Sequence, residues 1–373
     1  MFIRSQGHET GDAVLTTIAD RMQSVVRSSD TVARFGGDEF VVVLNDAITL
    51  ENTEIVLNKL LRACAEPVAY EGHEYSCSAS IGISSFPHDS KQQGQLIQYA
   101  DTAMYEAKKA GGNTFMFFSS LMNEHAKQRV EIKLDLARAL ENEELVLYYQ
   151  PIFRTDGKQV VSAEALIRWQ HPVKGFIPPS DFIPIAEESA LIERIDLWVL
   201  QKAAEFMQRQ LPDIEYLSLN VTGRSLMSDE FLAQAEQFRS IAPKLCLEIT
   251  ERTLFDNKEA MAAQLKKLKS LGYRVSVDDF GTGYSNLSRM QLYPIDIIKI
   301  DKSFTDTVKL ESDDRPIIDA IFNIANALNT RVIVEGVESK EQVGYFAEKE
   351  RTYIQGFYFS KPLPEKDFLL RLV

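Results

Sequence analysis

The spacing of hydrophobic positions changes along this chain. Val14, Leu15, Ile18, Met22, Val25 and Val26 recur at helical intervals after Gly11-Asp12, and predict a helix. Thr31–Phe35 and Phe40–Leu44 are strand-like runs around Gly36-Gly37-Asp38-Glu39, a hairpin pattern whose glycines permit positive φ. A helix over about Thr53–Ala65, a strand over about Cys77–Ser84, a helix over about Gln93–Ala110 and a strand at Thr114–Phe118 follow. Gly111-Gly112-Asn113 ends the last of these helices. Residues 1–118 therefore read as an α+β unit. Ser119-Ser120, with Leu121, Met122, Ala126, Val130 and Leu134 behind them, predict a connecting helix over 119–141.

From residue 142 to 373 the pattern shifts to eight short apolar runs. They are Leu147–Ile152, Val160–Leu166, Tyr216–Asn220, Leu245–Ile249, Arg274–Val277, Ile297–Asp301, Val332–Glu335 and Tyr353–Phe359. Helical stretches such as Glu259–Leu271 and Pro316–Leu328 separate most of them, which predicts a closed (β/α)₈ TIM-like barrel. Only Arg154-Thr155-Asp156-Gly157-Lys158-Gln159 joins the first two runs, too little for a crossover helix and carrying an Asp-Gly turn. The first strand should then lie antiparallel to its neighbour. The fold class is α/β, a modified barrel preceded by a smaller α+β unit.

Composition narrows the function. The 373 residues carry 41 Lys+Arg against 54 Asp+Glu, a net charge of −13, which disfavours a DNA or RNA polymer as partner. Cys64, Cys77 and Cys246 are too few and too scattered for a disulfide framework or a cysteine zinc site. No apolar run approaches a membrane span and no signal region follows Met1, so a cytoplasmic setting is expected, with an upstream tether left open. An acidic protein that handles phosphate recruits divalent cations through its carboxylates.

Those carboxylates fall at the ends of the predicted strands. Glu164, Asn220, Glu248, Asp278-Asp279, Lys299 with Asp301, Glu335 and Gln355 come from seven runs in succession. In a parallel barrel they would share the C-terminal mouth, where chemistry gathers. One polar residue entering a loop is ordinary; seven are not. The oxygen donors of Glu164, Asn220, Glu248 and Asp278 suit Mg²⁺ or Mn²⁺, and Asp278-Asp279 could serve two such ions. Lys299 among these acids is either a charge-balancing group or one that orients an attacking water. Gly281-Thr282-Gly283-Tyr284-Ser285 after the acidic pair reads as a loop that closes on substrate or as a plain βα turn.

The motifs Tyr149-Gln150-Pro151, Glu164-Ala165-Leu166-Ile167-Arg168-Trp169, Leu247-Glu248-Ile249-Thr250-Glu251, Asp278-Asp279-Phe280-Gly281, Lys299-Ile300-Asp301, Glu335-Gly336-Val337-Glu338 and Gln355-Gly356-Phe357 together resemble the EAL family over about residues 130–373. The resemblance implies a cyclic di-GMP phosphodiesterase that opens the dinucleotide to linear pGpG with two Mg²⁺ or Mn²⁺ ions. It makes Glu164, Asn220, Glu248 and Asp278 ligands of the first ion, with Asp278 bridging and Asp279 serving the second. Lys299 and Glu335 would act on the hydrolytic water. Gln150, Arg168, Asp301 and Gln355 match substrate-side positions, with Arg168 on phosphate. Glu251 would hold the loop after the acidic pair, and Glu338 is a supporting position. Asn286 and Val334 depart mildly from the family pattern. The family also implies a homodimer through the barrel. A silent cyclic di-GMP receptor is the alternative, or a bifunctional cyclase and phosphodiesterase if a further segment lies upstream.

The first unit resembles the GGDEF diguanylate cyclases through Gly7-His8-Glu9-Thr10-Gly11-Asp12, Arg34-Phe35-Gly36-Gly37-Asp38-Glu39-Phe40, Ser80-Ile81-Gly82-Ile83 and Ala100-Asp101 to Lys108. The resemblance places the family's opening helix and Asp-bearing strand before Met1, with Ile3 and Gly112 at nucleotide-contact positions. It implies a degenerate unit that makes no cyclic di-GMP and serves as scaffold or sensor, with GTP or cyclic di-GMP as its ligand. Arg27 and Asp30 match the family's inhibitory product site, or form a surface ion pair.

Overall fold

A computed structural model describes residues 8–45, 50–210, 212–255, 258–281, 290–308 and 315–372. The chain divides into two compact units, Met1–Glu131 and Ile132–Val373.

The first unit runs α1 (His8–Val25), β1 (Thr31–Gly36), β2 (Glu39–Val43), α2 (Leu50–Ala65), β3 (Val68–Tyr70), β4 (His73–Tyr75), β5 (Ile81–Ile83), α3 (Gln93–Lys109) and β6 (Phe115–Phe117). Among the described residues the strands pair two by two: β1 with β2, β3 with β4, β5 with β6. The β1–β2 hairpin turns at Gly36-Gly37 with Gly37 at φ +53°, as its glycines require. The β3–β4 hairpin is an addition to the sequence reading. Its signal is the two-residue turn Glu71-Gly72, both at positive φ, between Val/Tyr runs. The strand expected over 77–84 shortens to Ile81–Ile83, where Gly82 lets the backbone press on α3. Val14, Ile18, Cys64 and Val68 form a small buried core.

The helix α4 (Ser120–Ala139) leads to β7 (Leu145–Arg154) and β8 (Val160–His171), joined through Asp156-Gly157 with Gly157 at φ +69°. Then come β9 (Gly175–Ile177), α5 (Pro179–Glu187), α6 (Leu191–Gln210), β10 (Leu217–Asn220), α7 (Gly223–Leu226), α8 (Asp229–Gln237), β11 (Leu245–Thr250), α9 (Glu251–Phe255) and α10 (Lys258–Leu271). The chain closes with β12 (Arg274–Phe280), β13 (Ile297–Ile300), α11 (Lys302–Thr307), α12 (Arg315–Leu328), β14 (Arg331–Val334), α13 (Lys340–Ala347), β15 (Thr352–Ile354), β16 (Leu363–Pro364) and α14 (Glu365–Leu372).

Eight strands close a barrel. From β8 through β10, β11, β12, β13 and β14 to β15 each pair is parallel, while β7 lies antiparallel to both β8 and β15. Alternate residues of each strand enter different cores. Leu245, Leu247 and Ile249 pack outward with Val275, Val277, Ile298, Ile300, Val332 and Val334 beneath the helices. Cys246, Ile297 and Ile333 pack inward with Ile152 and Tyr216. Burial on both faces is why these strands read as continuous apolar runs.

Several boundaries differ from the sequence reading. Asp278 and Asp279 lie within β12 rather than after it. Asp301 is not part of β13; it caps α11, its Oδ1 accepting from Ser303 N at 2.9 Å. The eighth strand stops at Ile354, because the chain bends at Gln355-Gly356 and Gly356 seats against the Val337 backbone, where a Cβ would collide.

Candidate active site

The barrel mouth is built around one ammonium group. Lys299 on β13 is fully buried, and its Nζ lies 2.7 Å from Glu248 Oε2, 3.2 Å from Glu164 Oε2, 2.6 Å from Glu335 Oε1 and 3.5 Å from Asp278 Oδ1. Those four acids arrive from β8, β11, β12 and the residue after β14. Asn220, last in β10, donates through Nδ2 to Glu164 Oε1 at 2.8 Å. Gln355, just past β15, donates to Glu164 Oε2 at 2.6 Å and to Gln150 Oε1 at 3.2 Å.

Charge and burial compete here. Burial drives the Glu164 carboxyl up, but Lys299, with hydrogen bonds from Gln355 and Asn220, outweighs it and holds the group below the usual range. Glu248 is raised, first by burial and then by Glu164 and Asp278, against the pull of Lys299. Burial likewise pushes Glu335 up to about 8, Lys299 opposing and Asp278 and Glu164 adding to the rise. For Lys299 burial acts downward, and the surrounding carboxylates, Asp278 and Glu164 foremost, overcome it and keep the ammonium charged.

The acidic pair solves a geometric problem. Neighbours on a strand point to opposite faces, so Asp278 and Asp279 should diverge. The pairing of β12 with β13 slips between Val277 and Phe280, and Asp279 takes φ +53°. This irregularity re-aims the side chain, a use to which bulges beside active sites are put. Oxygens of Asp278, Asp279 and Glu335 consequently lie within 4.8 Å of one another. Burial, then Asp278 and Asp301, raise the Asp279 carboxyl.

The other expected residues fall around this centre. Arg168, four residues beyond Glu164 on β8, rests over the Tyr148 ring at 5.6 Å and is half-buried; desolvation lowers its pKa, opposed by Glu164. Glu251 Oε2 accepts from Gly281 N at 2.9 Å, at the base of the loop after the acidic pair. Residues 282–286 of that loop, with Ile3 and Gly7, lie outside the described residues. Glu338 pairs with Lys302 at 2.6 Å. Gln150 also donates to Ser360 O at 3.2 Å, so Gln150 and Gln355 brace Glu164 as well as flanking the mouth.

In the first unit, Asp38 and Glu39 of the Gly36–Phe40 turn are exposed, and Arg34 Nε donates to Gly37 O at 2.9 Å. Asp30 accepts from the backbone of Arg27 at 2.8 Å and of Asn45 at 2.9 Å. It braces a turn, and the ion pair with Arg27 does not form among the described residues.

Two features escaped the sequence reading. Asp196 on α6 is buried and accepts from Thr222 N at 3.0 Å and Thr222 Oγ1 at 2.7 Å, two residues past Asn220. Its signal was a lone acid in an otherwise apolar helical stripe. Ser162, Ser218 and Ser276 each precede a mouth residue by two positions and are fully buried.

The arrangement suits hard divalent cations. Glu248 Oε1 and Asp278 Oδ1 are buried acceptors without a hydrogen-bond donor, and the donor set is oxygen throughout. Fully ionised, five carboxylates against one ammonium would carry four negative charges, the complement of two divalent ions.

Comparison with known proteins covers the same part of the chain. The model of the EAL domain matches residues 133–362, and that of the diguanylate cyclase GGDEF domain matches residues 1–114. The cyclic di-GMP phosphodiesterase NbdA of Pseudomonas aeruginosa is 36% identical over 367 residues, covering 96% of this chain and 47% of that protein. The bifunctional diguanylate cyclase/cyclic di-GMP phosphodiesterase MucR of the same organism is 36% identical over 371 residues, covering 97% and 54%. The chain thus spans about half the length of the curated relatives it matches. The solved PaMucR phosphodiesterase in complex with c-di-GMP superposes with TM-score 0.61 at 32% identity, over 64% of this chain and 99% of that one. With a barrel, a mouth and a match of this extent in agreement, the chain belongs to the EAL domain family.

Proposed function

We propose that the barrel hydrolyses cyclic di-GMP to linear pGpG with Mg²⁺ or Mn²⁺. The observation that carries this reading is the convergence of Glu164, Glu248, Asp278 and Glu335 on Lys299 beside Asp279. Glu164, Asn220, Glu248 and Asp278 would hold one cation, and Asp278, Asp279 and Glu335 a second. Bound there, two such ions acidify water and neutralise charge on the phosphoryl oxygens.

The chain's own groups do the rest. Arg168, held partly desolvated over Tyr148, offers a planar fork to a phosphate. Lys299 keeps the carboxylates in place and presents N–H donors at the reacting centre. Glu335, 2.6 Å from Lys299, would act with it on the hydrolytic water. Gln150 and Gln355 fix Glu164 from the side opposite Asn220. The relatives named for this activity, and the solved complex with c-di-GMP, support the substrate. The first unit, extending to about residue 118 with a connector to 141, is assigned a non-catalytic, regulatory part. The dimer expected through the barrel and the cytoplasmic setting belong to the same proposal; among the described residues no helix is long and apolar enough to cross a membrane.

The test is incubation of the purified chain with cyclic di-GMP and Mg²⁺ or Mn²⁺, followed by chromatography. Linear product that disappears with EDTA, and that folded Glu164→Ala no longer forms, is the expected result. Tight binding with the dinucleotide left intact would instead make the chain a receptor.

A further inference from the structure

The barrel floor beneath the mouth is divided. Stepping down two positions from each mouth residue keeps to the same strand face. The step leads to Ser162, Ser218, Cys246 and Ser276 on β8, β10, β11 and β12. On β13, β14, β15 and antiparallel β7 it leads to Ile297, Ile333, Tyr353 and Ile152. One half of this layer is apolar, and Ile152, Tyr216, Cys246, Ile297, Ile333 and Tyr353 form their own cluster. The other half carries three hydroxyls, all on strands that also supply mouth oxygens.

All three serines are fully buried, and none of their hydroxyls closes a hydrogen bond of good geometry. Ser162 approaches the Tyr216 hydroxyl and Ser218 the Cys246 thiol, marginal contacts that leave each hydroxyl with capacity to spare. Ser276 lies two positions below Asp278 on β12 and in register with Glu248 on β11; Glu248 Oε1 and Asp278 Oδ1 are buried acceptors that close no hydrogen bond, with Lys299 Nζ 3.5 Å from Asp278 Oδ1. Five polar atoms that close no hydrogen bond thus sit on four adjacent strands. Alanine in these places would fill a dry floor at less cost than serine, because an unmet buried hydroxyl is penalised.

Spacing identifies what joins the layers. Ser276 stands about 6.6–6.8 Å below Asp278 along β12 and about 4.7–4.9 Å across from Glu248 on β11, and it closes no direct hydrogen bond to either. Two hydrogen bonds of about 2.8 Å through one intervening water span that gap. Water supplies what both sides lack: it donates to a carboxylate, which only accepts, and accepts from or donates to a hydroxyl. Buried water is retained where a site is polar and offers two to four partners.

We propose that Ser162, Ser218 and Ser276 bind buried water that donates to the inward oxygens of Glu248 and Asp278, making these serines positioning residues for the cation ligands. The inference rests on the ligand assignment above and deepens it. Outer hydrogen bonds of this kind set ligand orientation, and their loss costs metal affinity by about 10–100-fold.

The decisive measurement is Mn²⁺ binding, read by calorimetry or electron paramagnetic resonance on the full chain and on Ser218→Ala/Ser276→Ala. The double variant should bind Mn²⁺ at least about 10-fold more weakly. Its KM for cyclic di-GMP should stay within twofold of wild type, and a cooperative melting transition in EDTA should show that it folds. A folded double variant with Mn²⁺ affinity within twofold of wild type overturns the proposal. Should the variant fail to fold, a crystal structure of the wild-type chain with Mn²⁺ decides: water within hydrogen-bond distance of the three hydroxyls supports the proposal, and a dry floor overturns it. A wild-type chain that binds no Mn²⁺ at all overturns the ligand assignment and this inference together, a result distinct from unchanged affinity in the variant.

Discussion

The barrel and the first unit use the same alternating strand pattern to opposite ends. In the barrel β7 meets β15, every strand has two neighbours, and β13 is buried from Ile297 to Ile300. In the first unit β1 is exposed along nearly its whole length, and Phe35 and Val43 face solvent. Acids follow the same division. Glu164 and Glu248 are buried, while Asp38 and Glu39 stand in water at a hairpin turn. Closure is what lets the barrel keep carboxylates together: walls exclude water, so one ammonium and fixed amide donors set their ionisation. An acidic turn on an open hairpin has no such walls, and solvent screens it.

The contrast is sharpest at Lys299. Lys299→Met leaves four acids without their buried partner, and should lower the unfolding free energy in EDTA by about 3–5 kcal/mol. Hydrolysis should fall by about 10²–10³, the scale for removing a preorganised charged donor. Added Mn²⁺ should recover much of the stability, because a cation replaces the lost charge. Arg34→Met, which removes the exposed 3.6 Å pair with Asp12, should cost no more than about 1 kcal/mol by urea denaturation. Unchanged stability of Lys299→Met with activity lost would leave Lys299 a purely chemical role.

Lys299 also marks where reading the sequence stopped. That it sits among acids was legible, since β13 is a short apolar run with one charge in it. Which of two parts it plays was not, because contacts with Glu164, 135 residues away, depend on barrel closure. The eight strands were legible because burial on both faces writes a continuous apolar run. The antiparallel first strand was legible in Asp156-Gly157. The bulge at Asp278-Asp279 left no trace, for an Asp at φ +53° looks like any other Asp. The pairing of β5 with β6 was equally hidden, since 30-odd residues and α3 lie between them.

The barrel's habit of burying acids predicts a second effect, at Asp196. Burial pushes its carboxyl up to about 6, with Ser225 and Thr222 hydrogen bonds opposing. A carboxyl whose pKa is higher when folded binds its proton more tightly in the native state. Its contribution is fully present below the unfolded pKa and is lost as pH rises through about 6. Between pH 4 and 7 this amounts to about 3 kcal/mol, with stability declining upward. Asp196→Asn keeps an oxygen for Thr222 and should flatten that limb in urea titrations across the range. Identical pH profiles for the two proteins would break the assignment.

A third test asks whether the units stand apart energetically. A Cβ on Gly82 would strike the Ala100 carbonyl and the Met104 backbone, so Gly82→Ala forces β5 off α3. Overpacking of this sort costs about 1–3 kcal/mol. Calorimetry should show only the transition of the first unit shifting, with pGpG formation within about threefold of wild type. A matching shift in the barrel's transition would show that the two are one cooperative body.

The smallest expected effect lies at the hairpin turn. Asp38 is exposed, and Arg34 beside it is held by the Gly37 carbonyl and by Asp12 rather than by Asp38. Asp38→Ala therefore removes a solvated charge and no described contact, and the melting temperature should move by no more than about 3 °C. Hydrolysis by the barrel should stay within twofold, because the turn and the mouth belong to separate compact units. Asp278→Ala, the same change made inside the barrel, should abolish pGpG formation. The informative failure is an Asp38→Ala protein that keeps its melting temperature yet loses several-fold in hydrolysis. That pattern would make the acidic turn a control point for the barrel's carboxylates, read through a ligand of the first unit rather than through packing.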